Sequence, residues 1–450
     1  MKLLAFIMQT GGHIAGWRHP LATDRALCDI DYFVSCARTA ERGKFDAVFF
    51  ADSLGYPGSR SAETFEGQET PKLDPLPLLS AVTPVTQRVG LIGTTSTTYN
   101  EPYATARRFA TLDHISRGRA GWNIVTSTME NEAHNHGFER HMGHAERYQR
   151  AAEFIDAARK LWDSWQSGAL LADRASGRYT DASRISAVNH SGKHFRIAGP
   201  LNLPRSPQGH PVLVQAGASA DGKAFAARYA EVIFTSHPAI DSAIAFRKEM
   251  QDQASSFDRP KDAIKVLPAI TPYIGRTREE ALAFKKELDE LIPLPIALEK
   301  LETLLGGFDL SGHDLEGPLP ALPPEYLEVQ SSTRDRVLEA AGHEGATVRK
   351  LAYQVAGGRT SSAAIGTAED VADMLSEWYE AGAADGFIIS PPVLAPGLEI
   401  FVDRVVPILQ ARGLFRTDYE GETLRDHLGL AVPANQYEKN PQLRMRPEVW

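Results

Sequence analysis

The fold class this sequence predicts is α/β, a (β/α)8 or TIM barrel, and three observations predict it. Eight short apolar runs, at 3–8, 47–51, 89–93, 120–125, 212–215, 232–235, 266–274 and 387–389, alternate with helical patterns. The runs are nearly uninterrupted, as strands buried on both faces of a parallel sheet must be. No glycine fingerprint follows the first run and six-strand repetition is missing, which disfavours an open doubly wound sheet. At 450 residues the chain fits one barrel domain, 1–450, carrying insertions.

The first run is too short for a signal segment or a membrane span, and it passes into Gln9, Thr10 and Gly11 without a cleavage pattern. It reads as strand one. The helix that follows stops at Gly43, and strand two ends in VFFADS, where Asp52 is either a site carboxylate or a cap for the next loop. Cys28 and Cys36, eight apart in a helical pattern, suit neither a disulfide framework nor a paired-cysteine metal site and read as packing residues of a cytoplasmic protein.

The segment 88–127 locates the site. Strand three runs into Thr94, Thr95, Ser96, Thr97 and Thr98; Asn100 and Pro102 start a helix that Gly118 stops; strand four ends in Val125, Thr126 and Ser127. Ligands of parallel α/β folds bind beyond the carboxyl ends of the strands, so two adjacent hydroxyl-rich ends are either a site or plain turns. In the next helix Ala151, Ile155, Ala158 and Trp162 form a stripe that reaches back to Tyr148 and His144. A helix N-terminus there favours an anion, with His144 otherwise a capping or core histidine. After strand five, Gly217, Ala218 and Ser219 lead into another helix whose amides suit a phosphate, or merely permit a tight turn. His134, His136, His141 and His144 crowd together, but their spacing matches no established zinc pattern, so no metal is expected.

Two stretches break the rhythm. Residues 167–209 read as an insertion around the hairpin-like GKHFRIAGP, and 291–365, rich in proline and charge, as an insertion acting as a lid. The helix before strand eight opens with Thr367 and Asp370 in capping-box spacing, and from Gly413 an amphipathic arm serves packing or subunit contact. With 48 basic and 57 acidic residues, a net charge of −9 and no basic run, neither nucleic acid nor membrane is an expected partner.

GWRHP at 16–20, RTAERGKFD at 38–46, TTYNEPY at 97–103, LDHISRGRAGWNIVTS at 112–127, HAERY at 144–148 and VLVQAGAS at 212–219 together resemble one family, as do AADGFIISPP at 383–392 and FRTDYEGETLRDHLGL at 415–430. It is the nitrilotriacetate and dibenzothiophene-sulfone monooxygenase group of luciferase-like flavoproteins. The resemblance covers almost the whole chain. It implies a bacterial-luciferase-like barrel and a two-component monooxygenase using O2 and FMN as FMNH2, which a separate NAD(P)H:FMN reductase supplies by docking or by free diffusion. It also implies a homodimer or homotetramer, and a small organosulfur or amine substrate whose C–S or C–N bond is cleaved.

Carried over residue by residue, the resemblance puts Asp52, Thr94, His144, Tyr148, Ala218 and Ser219 on flavin contacts, with Asn123 and Val125 beside the isoalloxazine. His13 and His136 are the candidates to move a proton. Trp17, Arg18, Tyr56 and Phe65 are the candidate substrate contacts, with packing or surface roles as the alternative. If Arg18 faces the pocket, a carboxylated substrate is favoured. A deazaflavin-dependent oxidoreductase shares the architecture, but GWNIVTS and HAERY argue against it; a flavin-binding protein without turnover is the remaining alternative.

Overall fold

The computed structural model describes residues 1–23, 28–56, 61–69, 71–217, 219–326, 332–343, 345–358 and 362–444. Eight parallel strands close into a ring: β1 (Lys2–Ile7), β2 (Ala47–Phe50), β3 (Gly90–Ser96), β4 (Ala120–Val125), β5 (Val212–Ala216), β6 (Val232–Thr235), β7 (Lys265–Ile274) and β8 (Gly386–Ile389). Each pairs with its chain neighbour, and β8 closes on β1 through the register Leu3↔Phe387. These are the eight apolar runs, with one difference of substance. Strand β3 continues through Thr94, Thr95 and Ser96, because threonine fits a pleated strand and alternate hydroxyls can face the lumen.

The lumen is apolar at mid-height. Leu4, Phe49, Ile92, Val214, Val232, Leu267 and Ile388 fill it, and Phe6, Phe49 and Phe234 meet there, Phe6–Phe49 edge-on at 5.1 Å and Phe49–Phe234 at 6.0 Å. The opposite strand faces pack on outer helices: Trp122 stacks on Phe109 of the Pro102–Ile115 helix at 5.2 Å and donates its indole N–H to Thr95 O. That helix starts after Glu101 rather than Asn100, which instead donates to Ser96 O within the turn. Cys36 is buried in the Ile30–Arg42 helix, where burial pushes its thiol up to about 12; Cys28 lies ahead of the helix and is exposed, not a packing residue.

The arm from Gly413 packs on its own barrel. Leu424 and Leu428, on a short helix, enter the lumen from the amino-terminal end of the strands. Gly90 lacks a Cβ where Leu424 passes, since one would lie 2.4 Å from Leu424 Cδ1. The arm is pinned by Leu424 N–H to Gly118 O at 2.9 Å, Tyr419 O–H to Phe45 O at 2.8 Å, and Arg416 to the buried Asp46.

The first insertion forms two antiparallel hairpins; Leu170–Asp173 with Arg178–Thr180 is unforeseen, and His190–Ser191 with Arg196–Ile197 corresponds to the GKHFRIAGP segment. The second insertion builds an apolar core of its own, in which Ile296, Leu301, Leu305, Leu351 and Ala352 enclose Ile14 and Ala15 from the β1 loop. It ends in a ninth strand, Ser362–Gly366, that sequence reasoning left inside the insertion. Its small residues carry no apolar alternation, and it pairs only with the outer half of β7. Thr367 caps the Ala368–Glu380 helix with both capping-box bonds, as its spacing predicts.

Leu424→Ala should lower unfolding stability by about 2–5 kcal/mol, the range for a buried leucine that leaves a cavity. Urea denaturation measures it, and a loss under about 0.5 kcal/mol, the size of an ordinary surface change, would show that the arm is not part of the core.

Candidate active site

With the amino-terminal mouth filled by the arm, the carboxyl-terminal mouth is where polar groups can converge on a ligand. On β3 and β4, Thr94 and Asn123 stand in register: Asn123 Nδ2 donates to Thr94 Oγ1 at 3.0 Å, and Thr94 Oγ1 donates to Phe50 O at 2.8 Å. This chain fixes the amide orientation and leaves Asn123 Oδ1 buried without a partner among the described residues. An orphaned acceptor costs about 1–3 kcal/mol unless a ligand donor meets it. Val125 ends β4; its carbonyl accepts from Thr97 N–H at 2.9 Å.

A second group forms where β5 turns into the Ala220–Tyr229 helix. Ser219 caps that helix, its Oγ accepting from Gly222 N–H at 3.1 Å. A Cβ on Gly222 would lie 3.0 Å from the Tyr148 hydroxyl, and one on Gly217 would lie 3.4 Å from it, so the phenol covers the turn closely. His144 does not extend the buried stripe. It is half-exposed, neither core nor cap, with Nδ1 2.9 Å from Asp221 Oδ2 and its ring 5.0 Å from that of Tyr148. Gln215, on the outer face of β5, has a buried orphaned Oε1 beside the same turn. Ala218 lies outside the described residues.

The β2 and β4 loops are tied by a residue that sequence reasoning missed. Glu132 accepts from Leu54 N–H, Ser127 O–H, Thr128 N–H and Met129 N–H at 2.9–3.1 Å. Burial pushes its carboxyl up, but these donors outweigh it and hold the group below its ordinary range. Its spacing as a first-turn acid of the Glu130–Asn135 helix was a readable signal. Asp52, in the linked loop, has Ser53 N–H as its backbone donor; burial dominates and raises it to about 6.

His13 is fully buried. Its Nδ1 accepts from Ala15 N–H at 3.2 Å, so the ring proton sits on Nε2 and is donated to Asp289 Oδ1 at 3.2 Å. Lys285 holds the other Asp289 oxygen at 2.6 Å. Burial raises the Asp289 carboxyl, and the bonds from His13 and Lys285 reverse that and lower it. Asp289 comes from the far end of a helix after β7, where no local pattern marked it.

The remaining candidates stand at the rim. Tyr56 and Phe65 are exposed and stack on each other at 5.1 Å, so they are not core packing. Trp17 is 41 % exposed, and Arg18 donates to Leu291 O with no carboxylate within 4.0 Å among the described residues. His136 stacks on Tyr99 at 4.5 Å and its Nδ1 lies 2.7 Å from Glu132 O, which leaves Nε2 as its outward nitrogen.

The family described as luciferase-like monooxygenase matches residues 6–385. The chain belongs to this family. It is 46% identical over 439 residues to N-acetyl-S-(2-succino)cysteine monooxygenase of Bacillus subtilis (strain 168), covering 98% of both chains. It is also 46% identical over 444 residues to nitrilotriacetate monooxygenase component A of Aminobacter aminovorans, covering 97% of this chain and 98% of that one. Among solved structures, a riboflavin lyase with modified FMN and riboflavin superposes with a TM-score of 0.85 at 32% identity and 99% coverage of each chain. Membership makes the protein an oxidoreductase of the monooxygenase class and agrees with the luciferase-like barrel.

Because Asp52 rises from an ordinary 3.8 to about 6, its contribution to stability is full below pH ~4 and is lost as pH climbs through ~6. Asp52→Asn removes that dependence. Its stability relative to the native protein should rise across this window by roughly 1–3 kcal/mol in total and then level off, as urea titrations at a series of pH values would read. Glu132→Ala should speed hydrogen exchange at Leu54, Thr128 and Met129 by at least about tenfold, since each loses its acceptor; unchanged exchange would show that the loops hold without it.

Proposed function

We propose that the protein is the FMNH2- and O2-dependent oxygenase component of a two-component system, with reduced flavin supplied by a separate NAD(P)H:FMN reductase. The observation that carries this is the pairing, in one mouth, of an orphaned amide oxygen on Asn123 with an oxyanion cradle at Ser219, Gly222 and Tyr148. A flavin mononucleotide presents matching groups at its two ends, ring N–H donors and a phosphate. Bound reduced FMN supplies the electrons that activate O2 for transfer to a sulfur or nitrogen centre.

The chain's residues then have separable tasks. Asn123 accepts a ring N–H, held in place through Thr94. Ser219 and the first amides of the ten-residue Ala220–Tyr229 helix take the phosphate, with Tyr148 O–H donating over the turn. His144, paired to Asp221, flanks that phosphate. Val125 lends its strand-end backbone beside the ring. Asp52 closes the β2 side. The phenylalanine trio below is a dry floor, and the second insertion above acts as a lid that excludes water. Both ring nitrogens of His13 are engaged, so it moves a proton only by way of Asp289. His136, with its outward Nε2, is the proton-handling group nearer solvent.

The substrate is a small carboxylated organosulfur or amine compound, oxidised at the heteroatom with cleavage of a C–S or C–N bond. Arg18 carries this choice: its guanidinium has a carbonyl but no carboxylate partner among the described residues, and it follows the exposed Trp17 in the chain. The names of the two relatives reported above, both acting on carboxylated compounds, point the same way.

Anaerobic titration should show FMNH2 binding that weakens by about 5- to 30-fold in Ser219→Ala or Tyr148→Phe, one hydrogen bond to a charged group each. Oxygen uptake should then yield product with carboxylated sulfides or amines, and only peroxide without them. Absence of FMNH2 binding by the native protein would overturn the flavin assignment.

A further inference from the structure

A sizeable cavity lies away from the proposed active site. It measures about 800 Å³ and opens at the amino-terminal side of the barrel, between the last turns of the His144–Asp163 helix, the residues leading into β5, β6 and β7, and the C-terminal arm. The arm separates it from the lumen. Its walls are charged, and the charges do not balance locally.

Three of the four acids of the wall are paired, and Asp262 has no cationic side chain within 4.0 Å among the described residues. Glu231 forms a two-pronged pair with Arg425 at 2.7 and 3.0 Å, Asp163 is held by His210 at 2.8 Å and by Arg205, and Asp156 meets Arg228 at 3.2 Å. The cations are in excess. Arg159, Lys160 and Arg259 line the same space, and among the described residues none has a carboxylate within 4.0 Å. Arg259 is accounted for by structure, since it donates to Ala227 O and Ala230 O at the end of the Ala220–Tyr229 helix.

Arg159 is not accounted for in that way. It lies over the Tyr229 ring at 5.2 Å, makes one long bond of 3.3 Å to Tyr229 O, and leaves Nε buried with no partner among the described residues. Burial lowers the pKa of Arg159 and that of Arg259, the latter to about 10, and the attraction of Glu231 on both and of Asp156 on Arg159 offsets it only in part. Lys160 Nζ reaches only the ring of His190, at 3.3 Å. A buried guanidinium without an acid is costly, and the fork geometry of its free donors matches a carboxylate or phosphate.

We propose that this cavity is a second ligand site, taking a small organic anion with at least two oxyanion groups, bound by Arg159 and Lys160 and bordered by Arg259. The volume lies in the range of ligand pockets, far above what one inorganic ion fills. The site stands apart from the flavin assignment, because its residues sit at the opposite end of the strands. Phosphate and carboxylate share the recognition chemistry, so pyrophosphate and citrate serve as the two probes.

Calorimetry on the full chain at low ionic strength should show saturable binding of one probe or both, which tells the two chemistries apart. Affinity should drop at least tenfold in Arg159→Gln and in Lys160→Gln, and should stay unchanged in Ser219→Ala and Tyr148→Phe. The Lys160 variant keeps the test open if loss of Arg159 disturbs folding, and circular dichroism monitors that. FMNH2 binding should be unaffected in Lys160→Gln. No saturable binding of either probe, binding insensitive to Lys160→Gln, or binding lost in the Ser219 variant would each overturn the proposal.

Discussion

Insertion of Leu424 and Leu428 into the barrel lumen is the contact on which the rest of this molecule depends. A ring of parallel strands has two mouths, and in this protein the arm fills one with leucine side chains where Gly90 leaves room. The hydrophobic lumen is thereby completed from the strands' amino-terminal side, and polar strand ends are free to gather at the other. The same arm supplies Arg425 to the Glu231 pair, so closing the core and organising the charged cavity beneath it are one structural event.

The working mouth is organised by contrast between two carboxylates. Glu132 and Asp52 belong to linked loops, yet one is held ionised by four donors and the other is pushed toward neutrality by burial. Opposite shifts in one site are what different tasks require. Glu132 acts as a staple between the β2 and β4 loops, while Asp52 stays adjustable near neutral pH. His13 follows the same logic: a buried ring oriented by Ala15 and Asp289 sits where the second insertion meets the β1 loop.

How much was legible in the sequence follows from how local each signal is. The eight barrel strands could be read because burial on both faces leaves unbroken apolar runs, and Thr94 and Ser219 could be placed at a strand end and a helix start because such signals are consecutive in the chain, whereas Asn123 came only from the family resemblance. The extra strand Ser362–Gly366 gave no such signal, being made of small residues. Pairings across elements were beyond reach: Glu132 binds Leu54 across 78 residues, and His13 binds Asp289 across 276. His144 illustrates the limit, since helical spacing placed it on the buried face while its partner Asp221 lies 77 residues away and holds it at the surface.

The second insertion has a core that is almost its own. Its helices bury Leu301, Leu305, Leu351 and Ala352 against one another, take in Ile14 and Ala15 from the β1 loop, and return to the sheet through a strand on the outer half of β7. Such a segment behaves as a cassette. Its inner face can be rewritten by mutation while the eight-strand register and the opposite mouth stay as they are, so a single scaffold can acquire new substrate preferences without refounding its core.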